Sequence, residues 1–193
     1  MKQKLSQNPI VICCDRLDQQ AQLATQLAKD YDNIITCQLS NFEKMLEREP
    51  DALVVVGWQR ACAEVKLMIE FCSLKNRPLV IILDGINVND INRLPESVDY
   101  VLLSNEQTLS LGPWLEHACQ LRTTLDLLQQ KITALETNLQ ERKVIEKAKG
   151  MLMKLHQVDE DSAYKAMRKT AMQSSQSLAQ VARNLLQTLE ALQ

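Results

Sequence analysis

The sequence predicts an α/β domain with a parallel sheet, followed by an all-α segment. Three observations predict this fold class. Five short apolar runs alternate with amphipathic helical patterns in the first 115 residues. Apolar residues then recur at alternating steps of three and four, and three helical patterns follow. We place the domain boundaries at residues 1–115 for the α/β domain, 116–140 for a coiled-coil linker helix, and 141–193 for a three-helix domain.

The five apolar runs are the predicted strands. Each is apolar along its whole length, which is typical of parallel strands that helices cover on both faces. Their sequences are PIVICC, NIITC, DALVVV, PLVIIL and DYVLL. Helices are expected to begin near Asp18, Asn41, Arg60, Val88 and Gln107. Five such units predict a small, doubly wound sheet.

This arrangement resembles the receiver domains of bacterial response regulators, whose sheet has the flavodoxin-like strand order. The resemblance implies an acidic pair that holds Mg²⁺, an Asp that accepts a phosphoryl group, and a Lys that senses the new charge. The matching positions here are Cys14 and Asp15 for the pair, Val56 or Gly57 for the phosphoacceptor, and Leu103 or Ser104 for the Lys. Because no carboxylate follows the third strand, we expect a pseudo-receiver that binds protein partners without being phosphorylated. Asp15, Asp18 and Asp84 are expected to cap helices and form turns rather than to hold a metal.

Composition limits the function classes. No apolar run approaches the length of about 18 residues that a membrane span requires, so we expect a cytoplasmic protein with no membrane association. The six cysteines form no C-x-x-C pair, so neither a metal site nor a disulfide framework is expected. From Leu139 onward nine Lys or Arg residues face six Asp or Glu residues, which makes this part the basic one. No nucleophile-base pair or phosphate-binding Gly loop is evident, so we expect neither an enzyme nor a cofactor.

The heptad pattern predicts a two-stranded parallel coiled coil. It begins at Ala118, and no Pro or Gly interrupts the helix between Pro113 and Gly150. The residues expected to form the dimer seam are Leu121, Leu125, Leu128, Ile132, Leu135 and Leu139.

The C-terminal segment carries three spaced motifs. They are RKxIxxAKGxLM over residues 142–153, AYxxMRxxAM over 163–172 and LxxVA over 178–182. We expect Asp159 to cap the second helix, and Ser174 or Ser175 to cap the third. Gly150 is expected inside a helix, where Gly costs about 1 kcal/mol relative to Ala, so it indicates close packing or close approach by a ligand.

These motifs resemble the ANTAR family, the RNA-binding domains of bacterial transcription antiterminators. The segment ERKVIEKAKGMLMK is closer to the nitrate- and nitrite-responsive NasT type than to the amidase regulator AmiR. The resemblance implies a homodimer in which each module engages one of two hairpins in a leader RNA and so prevents a terminator from forming. For the nitrate type it also implies a nitrate- or nitrite-sensing regulatory protein as partner.

Cations in this segment are the candidate RNA contacts. Lys143, Lys147 and Lys154 are close to one helical stripe, which suits a phosphate backbone. A solvated face with Glu141 and Glu146 as intrahelical partners explains the same charges. The full set of predicted RNA-binding residues is Arg142, Lys143, Lys147, Lys149, Lys154, Arg168, Lys169, Gln173 and Ser174.

Other interpretations stay open on the sequence alone. Tyr164, the only aromatic residue of the segment, either stacks on a base or packs against the first helix. A basic three-helix module also fits a DNA major groove, so a DNA-binding regulator is one alternative. The others are an amide-responsive antiterminator, and a pure interaction protein that dimerises and docks a sensor without nucleic acid.

Overall fold

The structure, a computed structural model, describes residues 8–86, 88–96, 99–105 and 110–190. The chain divides into two compact units, the first ending at Leu127 and the second beginning at Leu128. This division falls inside the segment predicted as a linker. None of the helices in the described ranges has the length and hydropathy needed to cross a lipid bilayer.

The first unit is built on a five-stranded parallel sheet. All five predicted strands are present, and their order is β2-β1-β3-β4-β5, which is the flavodoxin-like order. The strands are β1 Ile10–Cys14, β2 Ile34–Cys37, β3 Leu53–Trp58, β4 Leu79–Leu83 and β5 Tyr100–Ser104. The predicted fold class is therefore confirmed for this unit.

Helices connect the strands close to the expected positions. They are α1 Leu17–Leu27, α2 Phe42–Arg48 after a 3₁₀ turn at Leu39–Asn41, α3 Ala63–Leu74, α4 Val88–Ile91 and α5 Gly112–His156. The helix expected near Gln107 begins at Gly112 in the structure, and Gln107 itself lies outside the described residues. Both faces of the sheet are buried, which explains why the strands are apolar along their length. In β1, Val11 and Cys13 pack in the cluster of Phe42 on one face, while Ile10 and Ile12 pack in the cluster of Leu115 on the other.

Helix α5 is anchored on the first unit by its first turns. Leu115 and Ala118 are 1% and 2% exposed in the cluster that covers one face of the sheet. Arg122 then reaches two other elements, because its guanidinium donates to Asn76 Oδ1 at 2.8 Å and lies 3.7 Å from Asp99 Oδ2. Ala118 was predicted to begin the dimer seam, but it faces the sheet instead. An Ala suits this position because it lets the helix approach the strands closely.

The end of β3 is crowded at Gly57. A Cβ atom built there would lie 2.7 Å from Cys14 Sγ and 3.0 Å from Gln19 Cδ. Both neighbours are packed closely against this position, since Cys14 is the strand neighbour of Gly57 and Gln19 is 5% exposed. Burial also raises the pKa of the Cys14 thiol to about 12, which keeps it protonated at neutral pH. The position therefore has no room for a side chain.

The second unit contains three helices around a small core. After the end of α5 come α6 Glu160–Ser174 and α7 Leu178–Glu190. Ala148 and Ala182 are fully buried, and Met167 is 1% exposed between them in the same cluster. The small residues let the helices approach, while partly buried aliphatic side chains of α5 and α7 complete the cluster.

Two caps define α6 and α7. Asp159 Oδ1 accepts a hydrogen bond of 3.0 Å from the Ser162 amide, so the predicted N-cap of α6 is confirmed. The expectation for α7 was wrong, because Ser177 Oγ accepts from the Gln180 amide at 3.1 Å. Ser174 remains helical and donates its hydroxyl to Thr170 O, and Ser175 ends α6 in the left-handed region with φ 53°.

We predict that Gly57→Ala destabilises the protein by about 1–3 kcal/mol, because the added methyl overlaps closely packed neighbours. Urea unfolding of the full chain measures this change. Cys14→Ala in the same chain should restore part of the loss, since it removes Sγ but leaves Gln19. Gly85→Ala is the matched control, because a Cβ atom there meets nothing within 4 Å. Equal stability of the two Gly variants would contradict the packing argument.

Candidate nucleic-acid interface

The acidic side chains at the carboxyl ends of the strands are engaged by other groups of the same chain. Asp15 Oδ2 accepts from the Gln59 amide at 3.1 Å, and Asp84 Oδ1 accepts from Asn105 Nδ2 at 2.7 Å. The Arg16 guanidinium pairs with Asp18 and lies 3.8 Å from Asp84 Oδ2. These carboxylates therefore fix loops through ion pairs and amide contacts, rather than capping helices as expected.

This end of the sheet lacks the groups that a phosphoryl transfer to a carboxylate requires. The end of β3 offers only apolar residues and Gly57, which has no room for a side chain. The Arg16 hydrogen bond lowers the pKa of Asp18, and the bound guanidinium places a permanent cation beside the remaining acids. Within the described ranges, no group of three or more His, Cys, Asp or Glu side chains is arranged to hold a metal ion.

The second unit presents α5 with three distinct faces. One face packs into the module core through residues such as Ala148 and the partly buried Ile145 and Leu152. A second face carries the heptad residues, and a third carries exposed lysines. Because residues on a helix advance by about 100° each, the lysine face lies opposite the core face, and it adjoins the direction of the heptad residues but lies further along the helix.

The heptad face is exposed over part of its predicted length. Leu121 and Leu125 are half-buried in the first unit. The next four heptad residues are 50%, 49%, 68% and 53% exposed, and they are Leu128, Ile132, Leu135 and Leu139. The heptad spacing then reaches polar side chains at Arg142, Glu146 and Lys149. The exposed apolar seam, defined here as the four residues from Leu128 to Leu139, therefore ends where the module core begins.

The third face of α5 carries a basic row, defined as Lys143, Lys147 and Lys154. The three side chains are exposed, and their spacing of four and seven residues places them on one side of the helix. This side is opposite Ile145 and Leu152, so the core does not use it. Arg142 is also exposed, but it lies towards the heptad face.

Lys149 occupies a different environment from the basic row. Its side chain is 10% exposed, and Nζ lies 2.6 Å from Glu146 Oε2 and 2.7 Å from Glu160 Oε1. Hydrogen bonds to Glu146 and then Glu160 raise the pKa of Lys149. Because Glu160 belongs to the first turn of α6, this clamp joins α5 to α6. The structure thus gives Lys149 an intramolecular role.

The remaining predicted contacts lie on α6, and all are exposed: Arg168, Lys169, Gln173 and Ser174. Tyr164 is 40% exposed and is not part of the buried cluster, so much of its ring faces solvent. Arg183 on α7 lies 3.5 Å from Glu141 on α5, which makes a second link between helices. Glu146 was expected as an intrahelical partner and pairs with Lys149, whereas Glu160 was missed because no sequence spacing connects residues on separate helices.

We predict that Lys149→Met lowers the unfolding midpoint, because it leaves Glu146 and Glu160 without their shared cation. Lys143→Met is the matched control at an exposed position of the same helix and should change the midpoint little. Thermal unfolding at pH 7 compares the two variants.

The pH dependence gives a second measurement of the clamp. Since the folded-state pKa of Lys149 is raised, its stabilisation is fully present below the unfolded pKa of about 10.4 and is lost as pH rises through the folded value. The difference between wild type and Lys149→Met should therefore shrink only at strongly alkaline pH. A constant difference across that range would exclude the charged clamp.

Three comparisons with known proteins find similar sequences or structures. Residues 133–186 match the family model described as the ANTAR domain. The chain is 36% identical over 114 residues to the nitrate regulatory protein of Klebsiella oxytoca, a match that covers 51% of this chain and 28% of that protein. The solved structure of the response regulator StyR aligns at 16% identity with a TM-score of 0.49, covering 94% of this chain and 99% of the other. The chain thus spans less than a third of its curated relative, and its residues 133–186, which follow the α/β domain in sequence, match the ANTAR domain.

Proposed function

We propose that this protein is an RNA-binding transcription antiterminator that stabilises a two-hairpin leader RNA and so prevents a terminator from forming. The observation that carries the proposal is the basic row, which lies on α5 opposite the module core and beyond the last residue of the exposed apolar seam. It lies inside the segment that matches the ANTAR domain. Regularly spaced lysines suit a sugar–phosphate backbone, where each neutralised phosphate adds salt-dependent affinity.

Dimerisation follows from the exposed apolar seam. Four consecutive heptad positions leave about half or more of each side chain in solvent, and a second copy of the same seam would bury them. A dimer would carry two basic rows. Linking two weak modules raises the effective concentration at the second hairpin, which favours RNAs whose hairpins have the matching spacing.

Control of the protein is proposed to come from a partner rather than from phosphorylation. The first unit keeps the fold of a receiver but offers no carboxylate at the end of β3. In place of phosphorylation, a binding partner covers or releases the dimer and so conveys the signal. A protein that is controlled in this way needs no enzymatic activity of its own. Because one relative is named a nitrate regulatory protein, we assign the inducer to nitrate or nitrite and the partner to a protein that senses it.

We predict that Lys143→Glu combined with Lys147→Glu abolishes binding to a tandem-hairpin RNA selected by the wild-type chain from a library with randomised loops. Both changes place anions where phosphates are proposed to bind. Fluorescence anisotropy at several salt concentrations measures the loss. In single Lys→Ala variants, the slope of log K against log[salt] should fall by about one.

Lys29→Glu combined with Lys44→Glu is the matched control. It changes net charge equally, on exposed residues of the first unit, and should leave RNA affinity intact. An equal loss of RNA affinity in both double variants would show that net charge, and not the basic row, determines binding. Tighter wild-type binding to duplex DNA than to the selected RNA would instead favour a DNA-binding regulator.

We predict that Leu135→Lys converts the dimer into a monomer, because it places a charge on the most exposed position of the apolar seam. Sedimentation equilibrium measures the mass. Gln130→Lys adds the same charge at an outer position of the same helix and should remain dimeric. A dimeric Leu135→Lys chain would show that pairing uses another surface.

A further inference from the structure

Gly150 lies inside α5 without any conformational reason for a Gly. The helix runs without a break from Gly112 to His156, and the described glycines have no positive φ angle. A Gly in a helix interior costs about 1 kcal/mol relative to Ala. Its backbone is ordinary helix, so any L-residue would fit the local conformation.

Packing does not explain Gly150 either. A Cβ atom added there would meet nothing within 4 Å, in contrast to Gly57, where the added atom overlaps two side chains. The sequence left close packing and close approach by a ligand open as reasons for this residue. For packing within a single chain, the open space around Gly150 removes the first of these reasons.

The position of Gly150 supports the second reason, which is close approach by a ligand. It follows Lys147 by three residues and precedes Lys154 by four, so it belongs to the same side of α5 as the basic row. At a rise of about 1.5 Å per residue, Gly150 lies about 5 Å along the axis from each of these lysines. It therefore forms a notch in the row, where the helix surface itself is accessible between two cations.

We propose that one sugar–phosphate unit of the bound RNA sits in this notch, against the Gly150 backbone, while its neighbouring phosphates pair with Lys147 and Lys154. This inference rests on the proposed function and names the part of the RNA that contacts this site. Ribose and phosphodiester oxygens accept weak hydrogen bonds from Cα–H groups, and only a residue without Cβ lets them come so close. Since the helical amide groups are already used, the notch recognises the shape of the strand and not its bases.

The test separates stability from affinity in the full-length chain. Gly150→Ala should raise the unfolding midpoint, because Ala is the better helix former and meets no neighbour. The same change should raise the Kd for the selected tandem-hairpin RNA about tenfold, which is the effect of a small steric overlap at a close contact. Gly150→Leu should raise the Kd further, in step with side-chain size.

Ala166→Gly on the exposed surface of α6 is the reverse control. It should lower the midpoint and leave the Kd unchanged at temperatures where the chain is folded. If Gly150→Ala raises the midpoint with unaltered Kd, the notch is overturned while the proposed function stands. If Gly150→Ala lowers both the midpoint and the affinity, Gly150 has a packing role and the inference also fails. If the wild-type chain binds no RNA, the proposed function itself fails.

Discussion

The continuity of helix α5 constrains everything else in this molecule. Over 45 residues it contributes to the core of the first unit, carries the heptad residues and forms the first helix of the module. If one face of the helix carried all three sets of residues, the two cores and the heptad residues would compete for the same surface. Ala118 packs against the sheet in the first unit, and Ala148 packs in the core of the second. Within the second unit, the side with Lys143, Lys147 and Lys154 faces solvent.

The first unit has the flavodoxin-like strand order without the groups that phosphoryl transfer to a carboxylate requires. Such a transfer needs acids that are available to a metal and a carboxylate that can be attacked. In this chain Arg16 supplies a fixed positive charge to two acids, and Cys14 and Gln19 lie next to Gly57. An Asp placed at position 57 would therefore overlap these two side chains.

Much of the fold could be predicted from the sequence, because it depends on local periodicity. Wholly apolar runs specified the five strands, and the heptad spacing located the seam. The errors arose where a tertiary neighbour decides the role of a residue. Lys147 and Lys149 have the same chemistry two positions apart, yet only Lys149 meets Glu160 from another helix. Ala118 fits the heptad spacing but packs on the sheet, and Ser177 caps α7 because α6 continues through Ser174.

The exposed seam also bears on how much protein a cell would need. Side chains such as Leu135, 68% exposed in the single chain, favour pairing whenever copies meet. While the chain is dilute, the amount of a dimer grows with the square of its concentration. Doubling the level of this protein would therefore raise the paired form nearly fourfold at low abundance. Gene dosage would then set the sensitivity of the response, and the proposed partner would raise its threshold by covering the dimer.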